Sequence, residues 1–441
     1  MVELQIVVLV VAGSSPVGHP HFLSLNWESE TIVEQFSNRA SGTEFPVSHR
    51  TMSTASPRLH LSAFCLALFI ASILAVCAFL SCRSLEDRYV HSIATELSDL
   101  KLQGVALQRE AFKQNDLLVL YGSSELVKDV PNRASEFFEP YPTGFRVFPV
   151  GKAGTVSLAM LQKIAAVGAD LRGRKVALSL SPSFFFDETV NADYYDGNFS
   201  ALQATELAFS SQLTHELRRD SAKRMRLYPD TLEGNWTLDF ALERLAGDSL
   251  TDRTLYAAIW PLGKLTTAFG QVQDHFEAGI QIFAESDDPE AKPKTFAGIN
   301  WRDILNAANA TTKRPPTPRL TKRPKGSRDA SFVASLTAAD EWDDFELILR
   351  TFRELGAQPL LLSMPLHGAD LETTGVSAEA RKSYGQKLAS LAKRYETPLV
   401  YFQQFENDPS FWDDSQDHPG TKGWAHYNKV LDDFFHERTN L

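Results

Sequence analysis

Twenty residues from Leu61 to Leu80 pass without a charged side chain, and no other feature constrains the fold of this chain as strongly. At about 1.5 Å of rise per residue, a helix of that length covers roughly 30 Å, the thickness of a bilayer's hydrocarbon core. The run predicts a single transmembrane helix at residues 61–80, followed by a water-soluble body from Arg83 to the C-terminus. Two other readings compete. A cleaved signal peptide has a shorter apolar region, of about 7 to 15 residues, and the ending Phe79-Leu80-Ser81-Cys82 fits a lipoprotein cleavage box only loosely. Charge leaves the orientation open, because Arg50 and Arg58 before the run are balanced by Arg83 and Arg88 after it. Ahead of the run, residues 1–51 hold a short apolar segment, Leu4 to Ala12, among Ser, Pro, His and Glu in no clear period. They are expected to form a poorly ordered extension. Met52 opens a polar, basic start that leads into the apolar core, which predicts translation from Met52.

The body alternates short apolar runs with amphipathic helical patterns, the signature of a parallel sheet covered on both faces by helices. Expected strands are Leu117 to Tyr121, Phe145 to Val150, Lys175 to Leu180, Pro359 to Met364 and Pro398 to Phe402. Between the third and fourth of these, Phe345, Ile348, Leu349, Phe352 and Leu355 share one helical face, and Gly356 reads as a stop. Ala378 to Tyr395 and Trp424 to His436 read as helices by the same logic. The predicted class is a three-layer α/β/α sandwich, with residues 201–283 as a helical insertion that lacks a comparable strand signal. Residues 311–328 carry seven Lys or Arg and four Pro. Such a stretch cannot bury a core and reads as an exposed loop, the alternative being a docking site for an anionic polymer or lipid headgroups.

Net charge is −11, which argues against nucleic acid as a partner, since a phosphate backbone would repel the surface. Cys65, Cys77 and Cys82 are the three cysteines. All lie in or at the end of the apolar run, so the body has neither a disulfide nor a cysteine-ligated metal.

Two segments carry chemistry. Tyr121 to Leu126, YGSSEL, stands where a buried strand ends and a helix should begin. In an open parallel sheet ligands bind beyond the carboxyl ends of the strands. A serine in that turn presents its hydroxyl to a crevice beside backbone N–H groups that can hold an oxyanion; the bland alternative is a turn with an N-cap. Asp413 to Trp424, DDSQDHPGTKGW, lies just ahead of the last helix. A serine hydroxyl is a poor nucleophile without a base, and a histidine oriented by a carboxylate is the usual solution. His418 has acids beside it, although a solvated loop would read similarly.

With those residues in view, the sequence resembles the SGNH hydrolase superfamily, and within it the DltD family of D-alanine transfer proteins in lipoteichoic acid biosynthesis. The likeness is distributed in order along the chain: GSSEL, VGKAGTVSL, LSLSPSFFF, ELGAQPLLLSMPLHG and DHPGTKGW. What the resemblance implies is an SGNH-hydrolase-like fold, Ser124 as nucleophile in preference to Ser123, and His418 as general base. It implies oxyanion donors from Ser124, from Gly151 or Gly154, and from the block that starts at Ser181, with Ser183 and His367 facing the substrate. The superfamily spaces its triad Asp three residues before His, and here that position is Ser415. Asp414 or Asp417 must substitute, and Asp414 is preferred because adjacent side chains tend to point apart. The resemblance further implies a cell-membrane location with the catalytic domain outside the cytoplasm, and transfer of an acyl group to teichoic acid or a related glycan. Implied partners are a membrane O-acyltransferase, a D-alanyl carrier protein, a glycan acceptor and membrane lipid, with neither metal nor organic cofactor. A non-catalytic scaffold and a polysaccharide esterase are the alternatives.

Overall fold

The computed structural model describes residues 57–285, 299–310, 320–414 and 416–438. The expected extension 1–51, residues 311–319 of the basic stretch, and Ser415 lie outside them. The chain divides into two compact units, one ending at Leu74 and one running from Ala75 to Leu441. A continuous helix, Pro57–Tyr89, passes through that division. It is the one described helix long and apolar enough to cross a membrane. Residues 61–78 are all exposed, an apolar surface that water disfavours and lipid accepts.

Five parallel strands form the sheet of the second unit: β1 (Leu117–Tyr121), β2 (Arg146–Val150), β3 (Lys175–Leu180), β4 (Gln358–Ser363) and β5 (Leu399–Tyr401). Their spatial order is β2-β1-β3-β4-β5. Tyr121 pairs with Val150 across β1 and β2, and Leu180 with Ser363 across β3 and β4. Parallel strands with short apolar sequences need cover on both faces, and β1 is buried along its whole length. Its side chains alternate between two cores. Val119 and Tyr121 join Val176, Leu178 and Leu361 on one side, while Leu118 and Leu120 join Ala177, Leu360 and Leu362 on the other.

Helices Ser157–Val167 and Glu341–Leu355 cover the first face. The second begins with Glu341, Asp343 and Asp344 in its first turn, where the helix dipole favours negative charge. It ends at Gly356, left-handed at φ +70°, and its expected apolar face is fully buried. Polar groups stitch the layer together. Glu341 accepts the Ser157 N–H at 2.7 Å, and Asp344 accepts Arg224 Nε at 2.7 Å. Helix Thr421–Phe435 covers the other face with Trp424, Tyr427 and Leu431.

Between β3 and β4 the described chain is helical and contributes no strand, with helices at Ala192–Asn198, Ala201–Ala208, His215–Met225, Trp236–Ala246 and Leu250–Glu285. The described end of the basic stretch, residues 320–328, is largely exposed. It runs beside residues 373–375, with Arg323 N–H donating to the Thr373 carbonyl at 2.9 Å.

Candidate active site

Because the strands are parallel, all of their carboxyl ends meet one edge of the sheet. The order β2-β1-β3 means that the chain leaves β1 to one side and returns to β3 on the other, which opens a crevice at that switch point. Ser124 follows β1, Gly151 follows β2, Ser181 follows β3, and His367 follows β4. The loop after β5 carries residues 412–418 to the same edge.

Past β1 the chain turns sharply through Gly122 and Ser123 into a short 3-10 turn, Ser124–Leu126. Gly151 packs so tightly against this turn that an added Cβ would lie 2.0 Å from the Gly122 carbonyl oxygen. The two adjacent serines part ways. Ser123 is buried, with its Oγ accepting the Thr155 N–H at 3.1 Å and donating to the Lys152 carbonyl at 3.4 Å. Thr155 is itself fixed by Asn198 at 2.8 Å. Ser124 instead directs its Oγ to His418 Nε2 at 2.8 Å.

The loop that holds His418 folds back on itself. Trp412 and Pro419 form a bridge, the Asp413 N–H donates to the His418 carbonyl at 2.9 Å, and the His418 N–H to that of Gln416 at 2.8 Å. This closure brings Asp414 under the imidazole, with Oδ2 at 2.6 Å from His418 Nδ1. The same oxygen accepts Lys128 Nζ at 2.6 Å, and Oδ1 accepts the Gln416 N–H at 2.9 Å. Burial alone would raise the Asp414 carboxyl. The bonds from Lys128, His418 and Gln416 outweigh it and hold the group below the usual carboxylate range. Asp417 turns the other way, where its Oδ2 accepts the Ser183 N–H at 2.7 Å. His367 stacks on Trp412 with ring centroids 4.1 Å apart, its Nε2 lies 2.9 Å from the Gln416 carbonyl oxygen, and Asp417 Oδ1 is 3.7 Å away.

Ser124, His418 and Asp414 therefore form one continuous relay, while Asp417, Ser183 and His367 form a separate brace beneath the same loop. Among the described residues, the N–H groups of Ser124 and Gly151 make no hydrogen bond within the chain. Gly154 packs against the Tyr194 ring, and Ser181 stands just before the 3-10 turn Pro182–Phe186 without a side-chain capping bond. The Ser183 N–H is already taken by Asp417.

Two participants carry no role in the sequence reading. Lys128 is four residues after Ser124, and that spacing, one helical turn, was the available signal. Glu125 lies buried beside the turn and accepts the Ser123 N–H on both oxygens at 3.0 Å. Burial raises its carboxyl, against the lowering effect of that N–H. Nothing in spacing alone distinguishes it from a surface glutamate.

A serine hydroxyl bonded to an imidazole that is bonded in turn to a carboxylate is equipped for proton transfer coupled to nucleophilic attack. The family described as DltD protein matches residues 94–436. Protein DltD of Bacillus subtilis (strain 168) is 27% identical over 369 residues, covering 79% of this chain and 90% of the relative. Protein DltD of Staphylococcus aureus (strain NCTC 8325 / PS 47) is 22% identical over 365 residues, covering 78% and 88%. Protein DltD of Lacticaseibacillus rhamnosus is 23% identical over 362 residues, covering 78% and 83%. With the family match extending from before β1 to the last helix, the chain belongs to the DltD family.

Proposed function

We propose that this chain is a membrane-anchored serine acyl-transfer enzyme that acts in D-alanylation of teichoic acid or a related envelope glycan, with its body on the extracytoplasmic side. The observation that carries the reading is the 2.8 Å contact between Ser124 Oγ and His418 Nε2, two atoms 294 residues apart in sequence. Local turn geometry does not bring such residues together by itself, and the pairing is the one an activated serine needs.

In the proposed mechanism His418 Nε2 takes the Ser124 proton as Oγ attacks the carbonyl carbon of a D-alanyl ester or thioester. The carbonyl oxygen gathers negative charge, for which the free N–H groups of Ser124 and Gly151 are the available donors. The imidazolium, stabilised through Nδ1 by Asp414, returns its proton to the departing alkoxide or thiolate, leaving D-alanine esterified to Ser124. A hydroxyl of the glycan then gives its proton to His418 and attacks that ester, which restores the serine. Every step uses side chains and backbone N–H groups of the chain itself. A membrane O-acyltransferase and a D-alanyl carrier protein are the proposed partners.

The test is complementation. In a strain lacking this gene, the Ser124→Ala chain, checked for wild-type abundance in the membrane, should leave ester-linked D-alanine at the level of the empty strain. If it restores D-alanine as fully as wild type, the chain acts as a scaffold for its partners and the acyl-enzyme reading is wrong.

A further inference from the structure

Helix Leu250–Glu285 is 36 residues long and uses only one side to pack onto the body. Tyr256, Ala278 and Ile282 on that side join the first core, and Gly263 fits so closely that an added Cβ would lie 2.1 Å from the Phe209 ring. The other side is apolar and open. Leu262, Leu265, Phe269 and Val272 follow at steps of three and four residues, and Ile280 and Phe283 continue the row. At 3.6 residues per turn these six fall within roughly 80° of arc and extend about 32 Å along the axis. Phe269 is 67% exposed, Ile280 68% and Phe283 84%. A row of large apolar side chains this long is not left to water without a partner.

Two features identify the partner. First, charge avoids the row. Between Leu255 and Phe283 the exposed charged residues are Lys264 and Glu277, and both lie off the apolar side. A coiled coil in water flanks its seam with charged residues that pair across it; here the flanking residues are Pro261, Thr266, Ala268 and Gln273. Second, the helix touches the end of the apolar span. The His275 ring meets Phe79 edge-on with centroids 5.1 Å apart, and its Nδ1 lies 2.7 Å from a Glu86 carboxylate oxygen. At Gly279 an added Cβ would come within 2.7 Å of Cys82 Sγ. Phe79 to Glu86 is where the uncharged run gives way to charged residues, so this crossing stands at the level of the membrane surface.

We infer that the exposed side of helix Leu250–Glu285 lies in the interfacial layer of the bilayer, with Leu265 and Phe269 among the acyl chains and Lys264 turned away from them. The body then has a second membrane contact besides its N-terminal helix. Segment 250–285 holds two basic and four acidic residues, Arg253 and Lys264 against Asp252, Asp274, Glu277 and Glu285. The contact is accordingly driven by apolar burial and not by anionic headgroups.

The experiment uses the full chain in lipid nanodiscs, with Cys65, Cys77 and Cys82 replaced by Ala and one new cysteine carrying an environment-sensitive fluorophore. Labels at Leu265→Cys and Phe269→Cys should be quenched by doxyl-labelled phosphatidylcholine about fivefold more than a label at Lys264→Cys. The difference should persist in purely zwitterionic lipid and at high ionic strength. Leu262→Cys and Ile280→Cys repeat the measurement if one label disturbs folding. Equal quenching at 264, 265 and 269 overturns the inference. So does protection of positions 265 and 269 from both the lipid quencher and aqueous iodide, which would mean that a second copy or another protein covers the row. Neither outcome bears on the Ser124 reaction.

Discussion

Replacing Lys128 by methionine removes a cation from the carboxylate oxygen that also holds the His418 ring. Lys128 Nζ and His418 Nδ1 each lie 2.6 Å from Asp414 Oδ2, which places the ammonium within roughly 5 Å of the imidazole. The Lys128 side chain is 36% exposed, and with water screening its pairing with the Asp414 carboxylate contributes about 1 kcal/mol. The sign follows from the carboxylate's task. Lys128 helps to hold the Asp414 carboxyl down, so without it Asp414 keeps its charge only down to a higher pH, and the acid limb of the pH–rate profile should move up. Asp414 also loses one of its anchors, and looser positioning should lower the plateau rate on the order of tenfold. Ester hydrolysis by the purified full chain in detergent, followed across pH, reads both effects, and Lys128→Arg should keep the wild-type limb. A Lys128→Met profile that superimposes on wild type or moves to lower pH would refute the reasoning, as would an arginine variant that behaves like methionine.

Asp414→Asn should cost about 10³- to 10⁴-fold in turnover, because an amide in that position favours the wrong imidazole tautomer. Asp417→Asn, acting only through the Ser183 N–H and His367, should cost on the order of tenfold or less; equal losses in the same hydrolysis assay would show that the acids had been assigned incorrectly. The buried Glu341 carboxyl is pushed up to about 8, by burial first and by Asp344 second. The folded state therefore holds a proton that the unfolded state releases near pH 4.5, and this contribution to stability is lost as pH rises from about 4.5 to 8. Glu341→Gln should flatten the decline in that window, measured by urea unfolding at pH 5 and 8. A steeper decline in the variant would contradict the assigned direction.

Most of the architecture was legible along the chain. Burial on one or two sides imposes a period of two or 3.6 residues, and such a period is visible in a short window. Hence β1 and β3 run over the residues expected, and the helix that ends at Gly356 buries the face expected of it. Strand ends were less legible. The second expected strand begins one residue later, at Arg146, and the last shortens to Leu399–Tyr401, since neighbours across the sheet and not local pattern decide where a ladder stops.

The sequence alone determined that an uncharged run of bilayer length precedes an α/β body, that a serine follows the first strand, and that an acid-flanked histidine precedes the last helix. These properties depend on residues near one another in the chain. Only the tertiary structure decided which members of each set touch. Ser123 and Ser124 are neighbours, yet one is spent on the Lys152–Thr155 turn and the other faces His418. Asp414 and Asp417 flank one loop, yet its reversal at Trp412 and Pro419 sends them to opposite sides. Lys128 joins the group from just beyond the turn that follows β1. The direction of a side chain in a turn is set by contacts with segments hundreds of residues away, and no local period records it.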